Sequence, residues 1–220
     1  NDSTAIVFDM SSVFLGDNKK MSPFDKNSIY GMYNRTENYQ SDCSYISQIK
    51  AFKDNVSIKS CLSYTFSVSN SQGTSLIKDR PFTAEMTRSI MLLKEKPYRP
   101  RMADYRIGVF FTGREQLGEG AKTTVPVYYA NRWDIQPSDT AAYLRGEKVK
   151  PTKQIVFYID NTFPEKWKPY LREGVTQWNE LFEQIGFKDV VAAKDFPTDD
   201  PEFDPDNIKY SCVRYAPSSI

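Results

Sequence analysis

Hydrophobic and polar positions alternate most regularly over residues 56–68. Val56, Ile58, Leu62, Tyr64, Phe66 and Val68 fall on one side, and Ser57, Lys59, Cys61, Ser63, Thr65 and Ser67 on the other, with Ser60 interrupting the apolar side. A period of two predicts a long, half-buried strand with one wet face. Ser and Gly at 69–73 supply a turn, after which Phe82, Ala84, Met86, Ile90 and Leu92 continue the pattern as an antiparallel partner. Shorter strands are predicted at 4–9, 45–52, 105–111 and 125–131. Residues 1–134 therefore read as an antiparallel β-rich module.

The pattern then changes. Residues 135–152 contain prolines and read as a connector carrying a short helix at 138–145. Residues 155–159 form an unbroken run of β-prone apolar side chains, the signature of a central strand covered on both faces. Thr162 and Glu165 have capping-box spacing, and Pro169 suits a first helical turn. Trp167, Leu171, Val175, Trp178, Leu181, Phe182 and Ile185 recur every three to four residues, predicting one long helix with a core-facing stripe, closed by Gly186. Strands at 190–193 and 208–215 flank an acidic loop. The fold class is α+β, with the β-rich module followed by a strand-helix-strand-strand part over 153–220.

Charge adds little: 29 Lys and Arg against 28 Asp and Glu leave a formal charge of +1. Such a balance offers no field for nucleic acid or anionic lipid, and no apolar run approaches the ~18 residues of a membrane span. The absence of histidine among the 220 residues changes the picture more. It removes Ser-His-Asp and Cys-His catalysis and the His-Glu-x-x-His zinc site, and three cysteines are too few for a four-cysteine zinc site. Cys43, Cys61 and Cys212 do not make a disulfide framework, although a Cys43–Cys61 bridge is open. Asn1 stands where an initiator methionine would, which predicts a mature or trimmed chain.

The remaining candidates are oxygen-based or aromatic. Asp199, Asp200, Glu202, Asp204 and Asp206 could hold calcium. The calcium-loop template starting at Asp200 would need Gly and Glu where Pro205 and Ser211 stand, so a stiff, solvated loop is the preferred reading. Lys94 to Arg101 is basic around Tyr98 but isolated, and reads as a proline-stiffened loop rather than a nucleic-acid contact. Gly118-Glu119-Gly120 lacks the Gly-Lys-Ser/Thr of a phosphate cradle. Trp133, Trp167 and Trp178 could form a sugar platform, but core packing is the simpler role. Carboxylate pairs for glycoside hydrolysis are conceivable, with no pair singled out.

Several linked motifs carry a resemblance. Asn131-Arg132-Trp133, the stretch 151–160 (PTKQIVFYID), Pro164-Glu165-Lys166-Trp167-Lys168-Pro169-Tyr170 and Gly174-Val175-x-x-Trp178-Asn179 come in that order. Phe182-Glu183-x-x-Gly186-Phe187-Lys188 and Tyr210-Ser211-x-x-Arg214-Tyr215 follow. Together they resemble bacterial exported zinc-dependent metalloproteases of the metzincin type. Leu93-x-Glu95-Lys96-Pro97-x-x-Pro100-Arg101 and Asp104-x-Arg106-x-Gly108 resemble the same family's N-terminal region of unknown function. The resemblance runs from about residue 46 onward and is strongest over 155–187.

It implies that 153–220 is the first half of a zincin-like catalytic domain, preceding a helix with His-Glu-x-x-His-x-x-Gly-x-x-His. This sequence has no such motif, so no catalytic residue carries over. The expected role is a non-catalytic scaffold or regulatory front portion, inactive alone and without a cofactor of its own. Zinc is expected in the full-length parent, and the expected partner is the remainder of the catalytic domain downstream of Ile220. The resemblance implies export to the periplasm, cell surface or medium, and a protein or peptide substrate. Asp104 could act as a latency ligand to that zinc, although a plain Asp104–Arg106 contact is preferred. Self-association through an uncovered edge at 208–215, or a C-terminal third less stable than the β-rich part, is expected. A stand-alone β-rich module that binds peptide or glycan, and a carboxylate-based hydrolase, are the competing readings.

Overall fold

A computed structural model describes residues 6–18, 21–24, 33–95, 99–118, 120 and 122–217. They fall into two units, the first comprising Asn1–Leu92 with Asp204–Lys209, the second Leu93–Phe203 with Tyr210–Ile220. Antiparallel strands dominate the N-terminal part and helices are few, so the chain is α+β with β-rich character.

The first unit is an antiparallel sheet of β1 (Tyr33–Ala51), β2 (Asn55–Asn70) and β3 (Ser75–Met91), in that order. The predicted alternation over 56–68 lies within β2, the central strand. Both neighbours are longer than their apolar periodicity suggests, because a ladder with β2 satisfies their backbone whatever the side chains are. Asn70 closes the β2–β3 turn by accepting from the backbone N–H groups of Gln72 and Thr74, and Gly73 takes φ +83°. The β1–β2 ladder shifts register between Gln40 and Tyr45. There Ser44 Oγ accepts from Ser63 N and donates to Gln40 O, and Ser63 Oγ donates to Cys43 O, so side chains replace the missing ladder bonds.

On the apolar face of β2, Leu62, Ile58 and Tyr64 are buried, and helix α1 (Ser11–Leu15) contributes the buried Phe14. The face expected to be wet is drier than the alternation implies. Ser57 and Cys61 are also buried, since short side chains on a central strand lie in the shadow of both neighbours. Cys43 is exposed and Cys61 buried, and both are free thiols rather than a bridge. Residues 6–9 form no strand, and Ile6, Val7 and Phe8 are exposed. The other residues of that expectation, 4–5, lie outside the described set, as do 96–98 of the basic segment and Glu119 of the glycine turn.

The second unit holds a hairpin, β4 (Phe111–Gln116) with β5 (Val125–Ala130), and a parallel sheet. No strand forms over 105–110. The side chain of Asp104 accepts from Arg106 N and its carbonyl from Ile107 N, which commits that stretch to a turn. Helix α2 (Thr140–Leu144) is capped by Asp139, whose carboxylate accepts from Ala142 N. The parallel sheet has the order β7-β6-β8, with β6 (Ile155–Ile159) between β7 (Val191–Asp195) and the edge strand β8 (Ser211–Val213). Its core joins Ile155, Val190 and Val191 to Ala142, Val149 and Phe187.

Between β6 and β7 the predicted single helix is two, α3 (Lys168–Thr176) and α4 (Trp178–Gln184). Thr176 Oγ1 is within bonding distance of the carbonyls of Arg172 and Glu173, the kind of back-bonding that bends a helix. The capping box does not form. Thr162 turns back to Asp160, and the helix starts at Lys168 with Pro169 in its first turn. The apolar stripe is only partly used: Val175 and Phe182 pack against the core, whereas Trp167, Trp178, Leu181 and Ile185 are exposed. Asn179 ties α4 to the sheet by donating to Val191 O and accepting from Val191 N.

Candidate functional site

In open parallel sheets, polar groups gather beyond the carboxyl ends of the strands. Here the run of apolar residues in β6 ends at Asp160, which is 7 % exposed. Its Oδ1 accepts from Thr162 N at 2.9 Å and from Thr162 Oγ1 at 2.8 Å. Its Oδ2 faces Tyr215 N and Arg214 Nε, each at 3.4 Å, from the chain just after β8. Burial alone would push this carboxyl up. The Thr162 hydrogen bonds, the Tyr215 N–H and the Arg214 guanidinium outweigh it and hold the group below the usual carboxylate range. Asp160 is therefore a charged knot between β6 and β8, with its lone pairs engaged, rather than an available base.

Its surroundings are aromatic. The ring of Tyr215 lies 5.1 Å from that of Phe163 and 6.1 Å from that of Trp167. At the end of β7, Asp195 pairs with Arg172 of α3 at 2.6 Å. The end of the sheet thus presents paired charges beside partly exposed rings.

A second concavity lies on the first unit. Ile46 and Ile49 of β1, Val56 and Ile58 of β2 and Ile90 of β3 line an apolar groove of 410 Å³, beside Phe14 of α1. On the same face, Arg88 donates to Phe14 O and Met21 O, and Tyr39 donates through its hydroxyl to Leu15 O, fastening α1 and its flanks to the sheet. Burial lowers the pKa of Arg88 from its ordinary value. Ser60 Oγ, fully buried in this face, has no hydrogen-bond partner among the described residues.

Of the residues singled out from sequence, Asp204 and Asp206 meet at one lysine, and the others are not brought together with them. Asp104 is wrapped by Arg106, whose Nε donates to Oδ1 at 2.9 Å and whose terminal nitrogen lies 2.5 Å from Oδ2. These bonds hold the Asp104 carboxyl below its ordinary value. Asp200 accepts from Glu202 N, while Asp204 and Asp206 both turn to the Lys50 ammonium. Among the described residues no three of His, Cys, Asp and Glu converge into a group that could hold a metal ion. No helix among them is long and apolar enough to cross a membrane.

Sequence reasoning passed over Asp160, Lys50 and Asn55. Asp160-Asn161-Thr162 after an apolar run has the spacing of a side-chain-capped turn, a readable signal. Lys50 and Asn55 flank an ordinary strand-to-strand turn, and their partners lie some 150 positions away (|i−j| = 156 for Lys50–Asp206), so no local pattern marks them.

The architecture defines an α+β protein with a β-rich N-terminal unit. Residues 1–138 match the family described as Domain of unknown function (DUF5117), and the chain belongs to that family. No curated protein and no solved structure matches it.

Proposed function

We propose that this chain is the non-catalytic front portion, a scaffold or regulatory module, of an exported zinc-dependent metallopeptidase of the metzincin type. The β6–helix–β7–β8 order, with a parallel sheet and an Asp160 knot at its carboxyl end, carries the reading. The motifs over 151–188 and 210–215 that resemble that class fall on those same elements. The second unit then corresponds to the opening strands and helices of the catalytic domain. Its half-exposed Trp167, Trp178, Leu181 and Ile185 are the surface for the rest of that domain, downstream of Ile220. The DUF5117 region supports it or guides a peptide substrate to it.

Zinc does not fit the donor set of this chain, which has no histidine and no converging ligand group among its described residues. A complementation assay tests the reading. Mixing this chain with the separately expressed downstream polypeptide should yield peptidase activity that neither part shows alone, and a downstream polypeptide fully active without this chain would count against it.

The apolar groove favours a second reading, a stand-alone peptide-binding module. Its lining is almost wholly apolar, with Phe8 and Phe14 beside the isoleucines, which suits hydrophobic side chains better than sugar hydroxyls.

A further inference from the structure

The sheet of the first unit has two outer edges, and they differ. β3 is guarded: Pro81 has no N–H to offer, Asp79 takes φ +47°, and the ladder with β2 shifts register between Phe66 and Val68. β1 forms the other edge, and no described strand pairs with its outer side. From Tyr33 to Gln40 it runs beside β2 residue for residue, without a shift and without proline. Its register breaks only beyond Gln40.

That regular stretch is symmetric in sequence. Around Thr36, Arg35 mirrors Glu37, Asn34 mirrors Asn38 and Tyr33 mirrors Tyr39. A two-fold pair of strands imposes this kind of symmetry, because residue i of one copy faces residue j of the other, and j faces i. Antiparallel pairing centred on Thr36 sets Arg35 opposite the second copy's Glu37 and Glu37 opposite its Arg35, two attractive oppositions. Asn34 then meets Asn38, and Tyr33 meets Tyr39, matched amide and ring pairs. Within one chain Arg35 Nε donates to Glu37 Oε1 at 2.5 Å, and the Arg35 guanidinium lies 4.9 Å from the centre of the Phe24 ring. Arg35 and Glu37 share one face of the strand, so pairing closes the four groups into a ring of alternating charge. Asn34, Arg35, Thr36 and Asn38 are exposed, Glu37 and Tyr39 are half-buried, and Tyr33 is 46 % exposed.

We propose that β1 is a dimerisation edge, at which residues 33–39 pair antiparallel with the same residues of a second copy of this chain and join two three-stranded sheets into one. The inference does not rest on the peptidase reading. A single pair of short strands makes a small interface, so the dissociation constant should be on the order of 10 µM.

Sedimentation velocity on the full chain should show a monomer–dimer equilibrium. Arg35→Glu and Glu37→Arg each make both oppositions repulsive, and each alone should weaken association by about tenfold or more. Mixed together, the two variants should form a heterodimer, because every 35–37 opposition between them is attractive again. Mixing cannot restore the Arg35–Glu37 or Arg35–Phe24 contact inside a chain, so this readout separates strand pairing from a structural role. In a Cys43→Ser background, Thr36→Cys should oxidise to a covalent dimer faster than Asn34→Cys, since only residue 36 faces itself. A parent chain that stays monomeric at ~100 µM overturns the proposal. So does association that survives either charge reversal, as pairing through β8 would, failure of the mixed variants to associate, or cross-linking as fast at 34 as at 36.

Discussion

Truncating Leu62 to Ala is expected to cost the first unit about 3 kcal/mol, because a fully buried leucine loses both its transfer energy and its packing partners. For a unit of this size the melting transition should fall by roughly 10–20 °C. Leu62 lies opposite Ala84 in the β2–β3 ladder, and a small neighbour cannot swing in to fill the void. The paired control is Leu76→Ala, at a side chain 54 % exposed on β3, expected to shift stability by less than about 0.5 kcal/mol. Thermal denaturation followed by circular dichroism compares the two. Equal losses would mean that the apolar face of β2 is not the core of this unit.

Asp160→Asn should be the most damaging polar substitution. It removes the charge that Arg214 faces and can set an amide N–H against the Tyr215 N–H, for a loss of about 2 kcal/mol at neutral pH. The pH dependence follows from the direction of the shift. The folded-state pKa lies below the ordinary value of about 3.9, so the stabilisation is complete above that value and lost as pH falls through the folded one. Urea titrations should accordingly show parent and variant far apart at pH 7 and converging below about pH 4. A gap that stays constant down to pH 2 would mean that the ionised carboxylate is not what ties β6 to β8.

The elements legible in the sequence were those whose backbone and side-chain demands agree. β2 announces itself by alternation, and β6 by a run of Ile, Val, Phe and Tyr that suits a strand flanked on both sides. The order strand, helical stretch, strand, strand in the second unit is equally readable, although the helical stretch is divided into α3 and α4. Boundaries failed where a side chain overruled the pattern. Thr176 split a helix whose apolar stripe ran on unbroken, Asp104 converted a β-prone stretch to a turn, and Thr162 bonded back to Asp160 instead of capping forward.

The stripe on α3 and α4 misled in a more instructive way. Helical periodicity reports that one face avoids water, without saying which surface covers it. Trp178, Leu181 and Ile185 keep the spacing of core residues and yet are exposed. For the acidic loop, sequence shows carboxylates clustering, which leaves calcium as the less favoured reading, but does not show the distant Lys50 that faces Asp204 and Asp206.

Zinc stoichiometry and peptide hydrolysis, measured together on the purified 220-residue chain and on a polypeptide continuing past Ile220, test the central claim most directly. The account predicts no stoichiometric zinc and no cleavage for the chain itself, with both gained by the longer form. Tight zinc binding by the 220-residue chain, accompanied by hydrolysis that a chelator abolishes, would contradict it.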